Sequence, residues 1–236
     1  MAGPAIWTTI AATLTAEITA GSYAIGDRLP TEAQLAQRFG VNRHTVRHAL
    51  AALAQTGSIR SRRGAGVFVA GVPTDYPIGR RVRFHQNVLA SGRSPSRQIL
   101  RIETRMASAT EVRGLDLPSG GAVHLVEGIS LVNEVPMAVF ASVFPAERFP
   151  DFPAALTRLG SITAALACAG VEDYIRASTR LTAELADAVQ ARHLGLEPGA
   201  PLLHSVTVNV DTKGRPVELG STWFAGDRVT LTVKPE

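Results

Sequence analysis

Apolar residues recur at helical spacing through the N-terminal part of the chain. Ile6, Ile10, Leu14 and Ile18 predict a first helix, which Gly21 would end. Two shorter helices are predicted to follow it. Their apolar positions are Leu35, Ala36 and Phe39 in the second helix and Val46, Ala49, Leu50 and Leu53 in the third.

Polar residues and a glycine mark the ends of these helices. Thr31 with Gln34 three positions later forms a capping-box pattern, Gly40 ends the second helix, and Asn42 caps the third. Two helices joined by a glycine-containing turn are typical of a helix-turn-helix, whose second helix reaches base edges in the major groove with its N-terminal residues. The residues at that place are Arg43, His44, Thr45 and Arg47, which a small core does not need.

A short basic hairpin is predicted directly after this pattern. Ile59 and the apolar run at 67–69 flank a glycine-rich turn. Such a hairpin, or wing, would bring Arg62 and Arg63 to a DNA backbone or minor groove, and Gly64 and Gly66 would allow a close approach.

Basic charge is concentrated in the same part of the chain. The net charge is only +4, but ten arginines and a single acid, Asp75, lie between Asn42 and Arg97. This distribution is typical of a surface that meets a polyanion, and a solvated basic face is the alternative.

The stretch GDRLPTEAQLAQRFGVNRHTVRHALAALAQTG and the later RRGAGVFV resemble the winged-helix domain of the GntR family of bacterial transcription regulators. The resemblance implies DNA contacts at Thr31, Arg43, Thr45, Arg47, Arg63 and Gly64. Asn42 stands where the family usually has serine, and His44 stands where it often has threonine. These two departures leave the operator sequence open and keep the expectation of DNA binding.

Two domains are expected, at residues 1–71 and 81–236, because prolines and glycines at 72–80 predict a linker. The second domain contains a repeat whose copies begin at Leu115 and Leu194 and run to Arg148 and Arg228. Each copy has a short helix, a turn and a β-hairpin. The repeat predicts an α+β fold, with one antiparallel sheet, helices on one side and a ligand cleft between the halves. Chance similarity between β-rich sequences is the alternative.

The C-terminal region resembles the effector domain of the HutC branch of GntR regulators, often called UTRA, which shares the fold of chorismate lyase. The resemblance covers nearly all of residues 80–234. Two long stretches, which begin at Tyr76 and Glu127, are most similar to the phosphonate-metabolism regulators of this branch.

The same resemblance implies effector contacts. Ser161, beside Thr163, falls where sugar-phosphate regulators of the branch hold phosphate, and a helix N-terminus there would favour an anion. An ordinary N-cap role for Ser161 is the alternative. The later glutamate and aromatic residue of those regulators match Glu218 and Phe224.

Other ligands of a sugar-phosphate site are missing. The paired arginines fall at Gly128 and Ser130, and a strand glutamate falls at Phe140. Positive charge for an anion is then expected from Arg93 and Arg97, which follow the pocket-edge segment that contains Phe84. A surface role or DNA contact is the alternative for both arginines. These residues complete the predicted effector set, which is Phe84, Arg93, Arg97, Ser161, Thr163, Glu218 and Phe224.

Several function classes are disfavoured. Cys168 is the only cysteine, and no His, Asp or Glu cluster has ligand spacing, so no disulfide, metal or cofactor is expected. No apolar run approaches the roughly 18 residues of a membrane span, and no signal peptide is recognised, so a cytoplasmic location is expected. No nucleophile–base pair is found, so an enzyme is not expected. A chorismate-lyase-like enzyme and a non-specific nucleoid protein are the competing hypotheses.

Together these features predict a homodimeric transcription regulator, expected to be a repressor of phosphonate uptake and metabolism genes. It would bind a near-palindromic double-stranded DNA operator and respond to a small anionic effector. A response to a sugar phosphate or a urocanate-like anion is the alternative.

Overall fold

The computed structural model describes residues 5–23, 26–62, 66–70, 74–79 and 94–233. The chain divides into an N-terminal unit that ends at residue 73 and a C-terminal unit that begins at residue 74. No helix among the described residues is long and apolar enough to cross a bilayer.

The N-terminal unit contains three helices and a β-hairpin. Its elements are α1 (Ile6–Thr19), α2 (Glu32–Phe39), α3 (Arg43–Gln55), β1 (Ile59–Arg62) and β2 (Gly66–Val69). The core contains the predicted apolar residues of all three helices except Ile6, which is exposed at the start of α1. Its most buried members include Leu14, Leu35, Val46, Ala49 and Leu53.

Local signals set the ends of α2 and α3. Thr31 and Gln34 form the predicted capping box, and Gly40 ends α2 in the left-handed conformation, with a φ of 63°. The Asn42 side chain accepts a hydrogen bond from the Thr45 amide and starts α3. The turn therefore fixes where α3 begins and which of its residues come first.

A third backbone segment pairs with the hairpin, and the hydrophobic pattern does not predict it. In β1 and β2, Ile59 pairs with Val69. The segment at 26–29 runs along the other side of β2, where the Leu29 amide donates to the Val67 carbonyl (2.8 Å) and the Val69 amide to the Asp27 carbonyl (2.9 Å). The wing is thus tied to the loop that leads into α2.

The C-terminal unit is built on a six-stranded antiparallel sheet in the order β4-β5-β6-β9-β8-β7, beside a parallel pair, β3 and β10. Its strands are β3 (Thr74–Pro77), β4 (Pro95–Met106), β5 (Ala122–Val132), β6 (Val135–Pro145), β7 (Tyr174–Leu185), β8 (Pro201–Asp211), β9 (Pro216–Ala225) and β10 (Val229–Thr232). Its helices are α4 (Ala109–Leu115), α5 (Phe152–Leu159), α6 (Ile162–Cys168) and α7 (Ala188–Leu194).

The start of this unit differs from the sequence prediction. Residues 74–77, assigned to the linker because prolines and glycines occur in and around them, form β3, and Tyr76 lies opposite Leu231 of β10. Because this pairing joins distant parts of the chain, no local sequence pattern predicts it. The C-terminal unit therefore begins before residue 81.

The predicted repeat is a structural one. Helix α4 with β5 and β6 forms one copy, and α7 with β8 and β9 forms the other. The copies meet where β6 pairs with β9, and Ala141 lies opposite its repeat equivalent, Ser221. Arg148 donates to the Pro216 carbonyl (2.7 Å) and Arg228 to the Pro136 carbonyl (2.6 Å), so each arginine binds the other copy. The domain thus has an internal pseudo-two-fold axis.

Helices cover both faces of the sheet, whereas the sequence predicted helices on one side. The repeat helices do lie on one side, where Leu115 of α4 packs with Val143 and Leu194 of α7 packs with Leu202. Helices α5 and α6 pack on the opposite face, around Phe144. They follow the first copy and have no counterpart in the second, so the repeat could not predict them.

Candidate functional site

The N-terminus of α3 presents polar side chains to solvent. Arg43 and His44 are exposed, and Thr45 is half-buried with its hydroxyl donating to Asn42 Oδ1 (2.9 Å). The Asn42 cap thus orients the first turn of α3. An exposed arginine at this position matches the geometry of a helix that reads a major groove.

Arg47 is held in place by an ion pair. Its Nε and Nη2 donate to the two oxygens of Glu32, at 3.1 and 2.8 Å. The hydrogen bond from Arg47 is the main cause of a lowered pKa at the Glu32 carboxyl. The exposed N-cap Thr31 stands directly before Glu32, so α2 and α3 present Thr31 and Arg47 through one connected set of contacts.

The wing is described only in part. Arg62 lies opposite Gly66 at the end of the hairpin, and the Arg62 side chain, Arg63 and Gly64 lie outside the described residues. Gly66 has a φ of 115°. A Cβ on Gly66 would lie 2.7 Å from Nε of Arg28.

Arg28 is a basic residue of this surface that the sequence reasoning missed. It is exposed, and its backbone forms a bridge to Phe68 of β2. The sequence places Arg28 in a loop before Leu29, and only the non-local pairing with β2 brings it to the wing. Its guanidinium adds positive charge beside Gly66.

The second candidate site lies on the sheet of the C-terminal unit. We define the cleft face as the face that carries Phe140 and Ser142, over which α5 and α6 pack. Cross-strand partners and alternate residues share this face. Its polar members include Ser130, Ser142, Ser205, Thr207, Asn209 and Glu218. Four of these, Ser130, Ser142, Ser205 and Thr207, are buried.

Three of the predicted effector residues lie on the cleft face. The Arg97 guanidinium stacks 4.8 Å from the centre of the Phe140 ring. Glu218 accepts a hydrogen bond from Asn209 Nδ2 (2.7 Å), and Phe224 is buried. The predicted residues Phe84 and Arg93 lie outside the described residues.

Ser161 and Thr163 have structural partners. Ser161 caps α6 by accepting from the Ala164 amide (3.3 Å). The hydroxyl groups of Thr163 and Tyr174 lie 3.3 Å apart. Helix α6 thus meets the start of β7 beside the cleft face. The geometry fits the N-cap alternative for Ser161, and an anion-binding role stays a prediction.

The Phe140 ring occupies the space where a side chain at position 128 would extend. A Cβ on Gly128 would lie 2.7 Å from Cζ of Phe140. Glycine at 128 and phenylalanine at 140 therefore form a matched pair. Two of the three departures from a sugar-phosphate site, Gly128 and Phe140, are therefore coupled by packing, and an aromatic ring lies where charged side chains were expected.

Tyr76 and Arg176 also belong to this site and were missed. Tyr76 is buried and its ring centre lies 5.2 Å from that of Phe224. Burial raises the pKa of the Tyr76 hydroxyl, and the positive charges of Arg176 and Arg97 act in the opposite direction. Nη1 of Arg176 lies 3.5 Å from the Gly79 carbonyl. The cleft face thus receives an arginine from each edge strand.

Within the described part of the chain, no three His, Cys, Asp or Glu side chains come together as a metal site would require. His124, a buried sheet residue, instead uses its ring to bind Thr104 and the Phe149 carbonyl. Burial lowers the pKa of His124.

Comparisons with known proteins agree with this architecture. A model of the bacterial regulatory proteins of the gntR family matches residues 7–69, and a model of the UTRA domain matches residues 90–230. An uncharacterized HTH-type transcriptional regulator of Rhizobium meliloti (strain 1021) is 38% identical over 98% of this chain and 96% of its own.

Two further relatives share a name. The probable transcriptional regulator PhnF of Escherichia coli (strain K12) is 31% identical over 90% of this chain and 88% of its own. The crystal structure of PhnF from Mycobacterium smegmatis covers 96% of this chain and 99% of its own, with a TM-score of 0.68 and 26% identity. The chain therefore belongs to the GntR family of bacterial transcription regulators and, by its UTRA domain, to the HutC type.

Proposed function

We propose that the protein is a repressor of phosphonate uptake and metabolism genes, and that a phosphonate anion releases it from its operator in the cytoplasm. The exposed first turn of α3, with Arg43 and His44 free to approach a groove, carries the DNA-binding part of the proposal. The similarity to the two proteins named PhnF supports the choice of effector.

The DNA surface in this proposal has two parts. Arg43, His44 and Thr45 read base edges in the major groove, whereas Thr31 and Arg47 contact phosphates. Arg62, Arg63, Gly64 and Gly66 approach the minor groove or the backbone through the wing, and Arg28 adds a phosphate contact beside Gly66.

The effector would bind on the cleft face. Arg97 supplies positive charge, Glu218 and Asn209 supply hydrogen bonds, and Phe140 and Phe224 supply apolar surface. The Gly128–Phe140 pair removes charge and space that a sugar phosphate would use. This loss favours a smaller anion over the sugar phosphate alternative.

A homodimer completes the proposal. Two copies related by a two-fold axis would place two α3 helices in successive major grooves, roughly 34 Å apart, and so match a near-palindromic operator. The effector must favour the dimer that does not fit DNA. A coupling of about 1–3 kcal/mol would weaken operator binding roughly 5- to 150-fold.

The test begins with selection of bound duplexes from a random pool, followed by affinity measurements on the selected site. The selected site should be near-palindromic and bind about 10³-fold more tightly than unrelated DNA. Methylphosphonate or aminoethylphosphonate should then weaken binding, whereas glucosamine 6-phosphate and urocanate should not. Equal affinity for all duplexes would favour a nucleoid protein, and turnover of added chorismate would favour an enzyme.

Gly66→Ala is expected to weaken operator binding roughly 10-fold and to lower the free energy of unfolding of the N-terminal unit by about 1–2 kcal/mol. A φ of 115° strains any residue with a Cβ, and the new methyl group would press against Arg28. Fluorescence anisotropy with labelled operator and thermal unfolding measure the two effects.

The double variant Arg28→Ala/Gly66→Ala separates the two causes. If backbone strain dominates, the double variant is as unstable as Gly66→Ala, because removal of the guanidinium leaves φ unchanged. Full recovery of stability in the double variant would show that the contact with Arg28 dominates. Wild-type stability in Gly66→Ala itself would contradict both causes.

A further inference from the structure

Two buried polar atoms on β7 have no hydrogen-bond partner among the described residues, Nε of Arg176 and Oγ1 of Thr179. Arg176 lies opposite Asn209, and Thr179 lies opposite Thr207. Because cross-strand partners share a face, both side chains belong to the cleft face. Buried polar groups nearly always form hydrogen bonds in native proteins. Two unpaired buried atoms on one strand therefore indicate that a hydrogen-bonding partner is missing.

Charge on the cleft face is also unbalanced. The described residues show no ion pair to Arg176 or to Arg97. Arg176 does form a side-chain hydrogen bond with Tyr76, and the positive charges of both arginines act on the Tyr76 hydroxyl. Glu218 lies on the same face, but its carboxylate accepts from Asn209. A missing partner of Arg176 is therefore expected to carry negative charge.

The internal repeat places these two arginines at equivalent positions. Arg97 lies opposite Ser130 in the first half, and Arg176 lies opposite Asn209 in the second half, with the same shift along the chain that relates Leu115 to Leu194. The two environments differ. Arg97 is exposed and stacks on Phe140, whereas Arg176 is half-buried with a buried, unpaired Nε.

We propose that Arg176 and Thr179 form an anion subsite that holds the tetrahedral phosphoryl or phosphonyl group of the effector. Nε–H of Arg176 and the Thr179 hydroxyl can both donate to such oxygens, and the planar guanidinium suits two parallel hydrogen bonds. The inference rests on the proposed function only in assuming that the cleft face holds the effector. It assigns the charge to the second half of the repeat and not to Gly128 and Ser130, where sugar-phosphate regulators of the branch carry arginines.

The neighbouring carboxylate predicts which phosphonates bind best. Glu218, Asn209 and Arg176 lie side by side on β9, β8 and β7, so a negative and a positive group face the same space. A zwitterionic aminoalkyl phosphonate can place its ammonium near Glu218 and its phosphonyl group at Arg176. Aminoethylphosphonate is therefore expected to bind more tightly than methylphosphonate or inorganic phosphate, and Glu218→Gln should remove that difference.

The subsite also touches the stretch of chain that follows β3. Nη1 of Arg176 lies 3.5 Å from the Gly79 carbonyl, a long contact that an anion would compete with. Gly79 follows β3 within the C-terminal unit, which begins at residue 74. Capture of an anion by Arg176 would thus change a contact of that stretch.

The test uses the full-length protein and titration calorimetry with aminoethylphosphonate, methylphosphonate and inorganic phosphate. Arg176→Gln is expected to lower the affinity for the tightest-binding of these three anions roughly 10- to 100-fold, which is the usual effect of losing a charged hydrogen-bond donor. Arg180→Gln is the matched control, because Arg180 lies on the same strand with its side chain on the opposite face. The control should bind as the wild type does.

Thr179→Val keeps the inference testable if Arg176→Gln folds poorly. Valine has nearly the same shape as threonine but no hydroxyl, so anion affinity should fall several-fold. The melting temperature without anion should stay unchanged or rise, because a buried unpaired hydroxyl has been removed. A hydroxyl with a purely structural partner would give the reverse, a lower melting temperature with unchanged affinity, and would overturn the inference.

The outcomes separate the subsite from the proposed function. If phosphonates bind the wild type and Arg176→Gln equally, the subsite is wrong and the proposed function stands. If binding depends on Arg176 but favours inorganic phosphate, the subsite stands and the phosphonate effector is wrong. If none of the three anions binds the wild type, the subsite is wrong, and operator selection still decides the DNA-binding function.

Discussion

Replacing Arg43 with alanine is expected to abolish the preference of the protein for its selected operator while weak binding to unrelated DNA persists. Arg43 is the first residue of α3, is exposed, and follows the Asn42 cap that fixes its direction. One bidentate arginine–guanine contact is worth about 1–3 kcal/mol, and a dimer would lose two of them. The expected loss of operator affinity is therefore on the order of 10²- to 10³-fold.

Competition between operator and unrelated DNA measures this effect, since the ratio of affinities removes general losses of charge. Arg158→Ala is a suitable control, because Arg158 lies exposed in α5 of the other unit and the variant has the same net charge. The control should keep the full preference. If Arg43→Ala keeps it as well, the assignment of α3 to the major groove is wrong.

The N-terminal unit was predictable because its signals are local. Thr31 with Gln34, the left-handed Gly40 and the Asn42 cap each act within a few residues, and the structure confirms all three. The pairing of residues 26–29 with β2 was not predictable, because it depends on contacts across some forty residues of chain. For this reason Arg28, which that pairing brings to the wing, escaped the sequence analysis.

The C-terminal unit was predictable in its parts more than in their arrangement. The repeat indicated helix-and-hairpin copies and an antiparallel sheet, and the comparisons with UTRA proteins confirm that fold. The central pairing of β6 with β9, the parallel pairing of β3 with β10 and the position of α5 and α6 are long-range features. No periodicity within one segment encodes them.

The same distinction explains the candidate effector site. Glu218 and Phe224 followed from a family pattern, and Arg97 followed from its place after the pocket-edge segment. The structure places all three on one face. Arg176 lies in the segment YIRASTRLTAEL, where polar residues recur at every second position. By sequence it therefore resembles an ordinary exposed strand residue. The repeat makes Arg176 the equivalent of Arg97 and could have indicated a role for it. Which face of the sheet Arg176 lies on, however, depends on the register of β7 with β8.

The second large effect concerns Asp211, a buried carboxylate at the end of β8 that joins the two halves of the repeat. It accepts hydrogen bonds from the Lys213 and Arg215 amides, both at 2.9 Å, and from the guanidinium groups of Arg215 and Arg148. Burial alone would raise the pKa of this carboxyl, but these hydrogen bonds outweigh it and lower the pKa to about 2. Because Arg148 also donates to the Pro216 carbonyl, Asp211 anchors the contact between the copies.

Asp211→Asn is expected to lower the free energy of unfolding of the C-terminal unit by about 3–5 kcal/mol, because it leaves Arg148 part-buried without its counter-charge. Asp151→Asn is the control, since Asp151 is exposed and its side chain makes no capping hydrogen bond. Trp223 lies in this unit and Trp7 in the other, so Trp7→Phe, used as the background, leaves Trp223 as the fluorescence probe of denaturant unfolding.

The dependence on pH gives the same prediction a second test. The folded pKa of Asp211 lies below its usual value, so the stabilisation is complete above about pH 4 and is lost as the pH falls toward 2. The difference between wild type and Asp211→Asn should therefore be large and constant near neutral pH and shrink by roughly 2 kcal/mol as the pH falls from about 4 to 2. A difference that stays constant over that range would mean that the amide disrupts packing, and that the charge of Asp211 does not hold the two halves together.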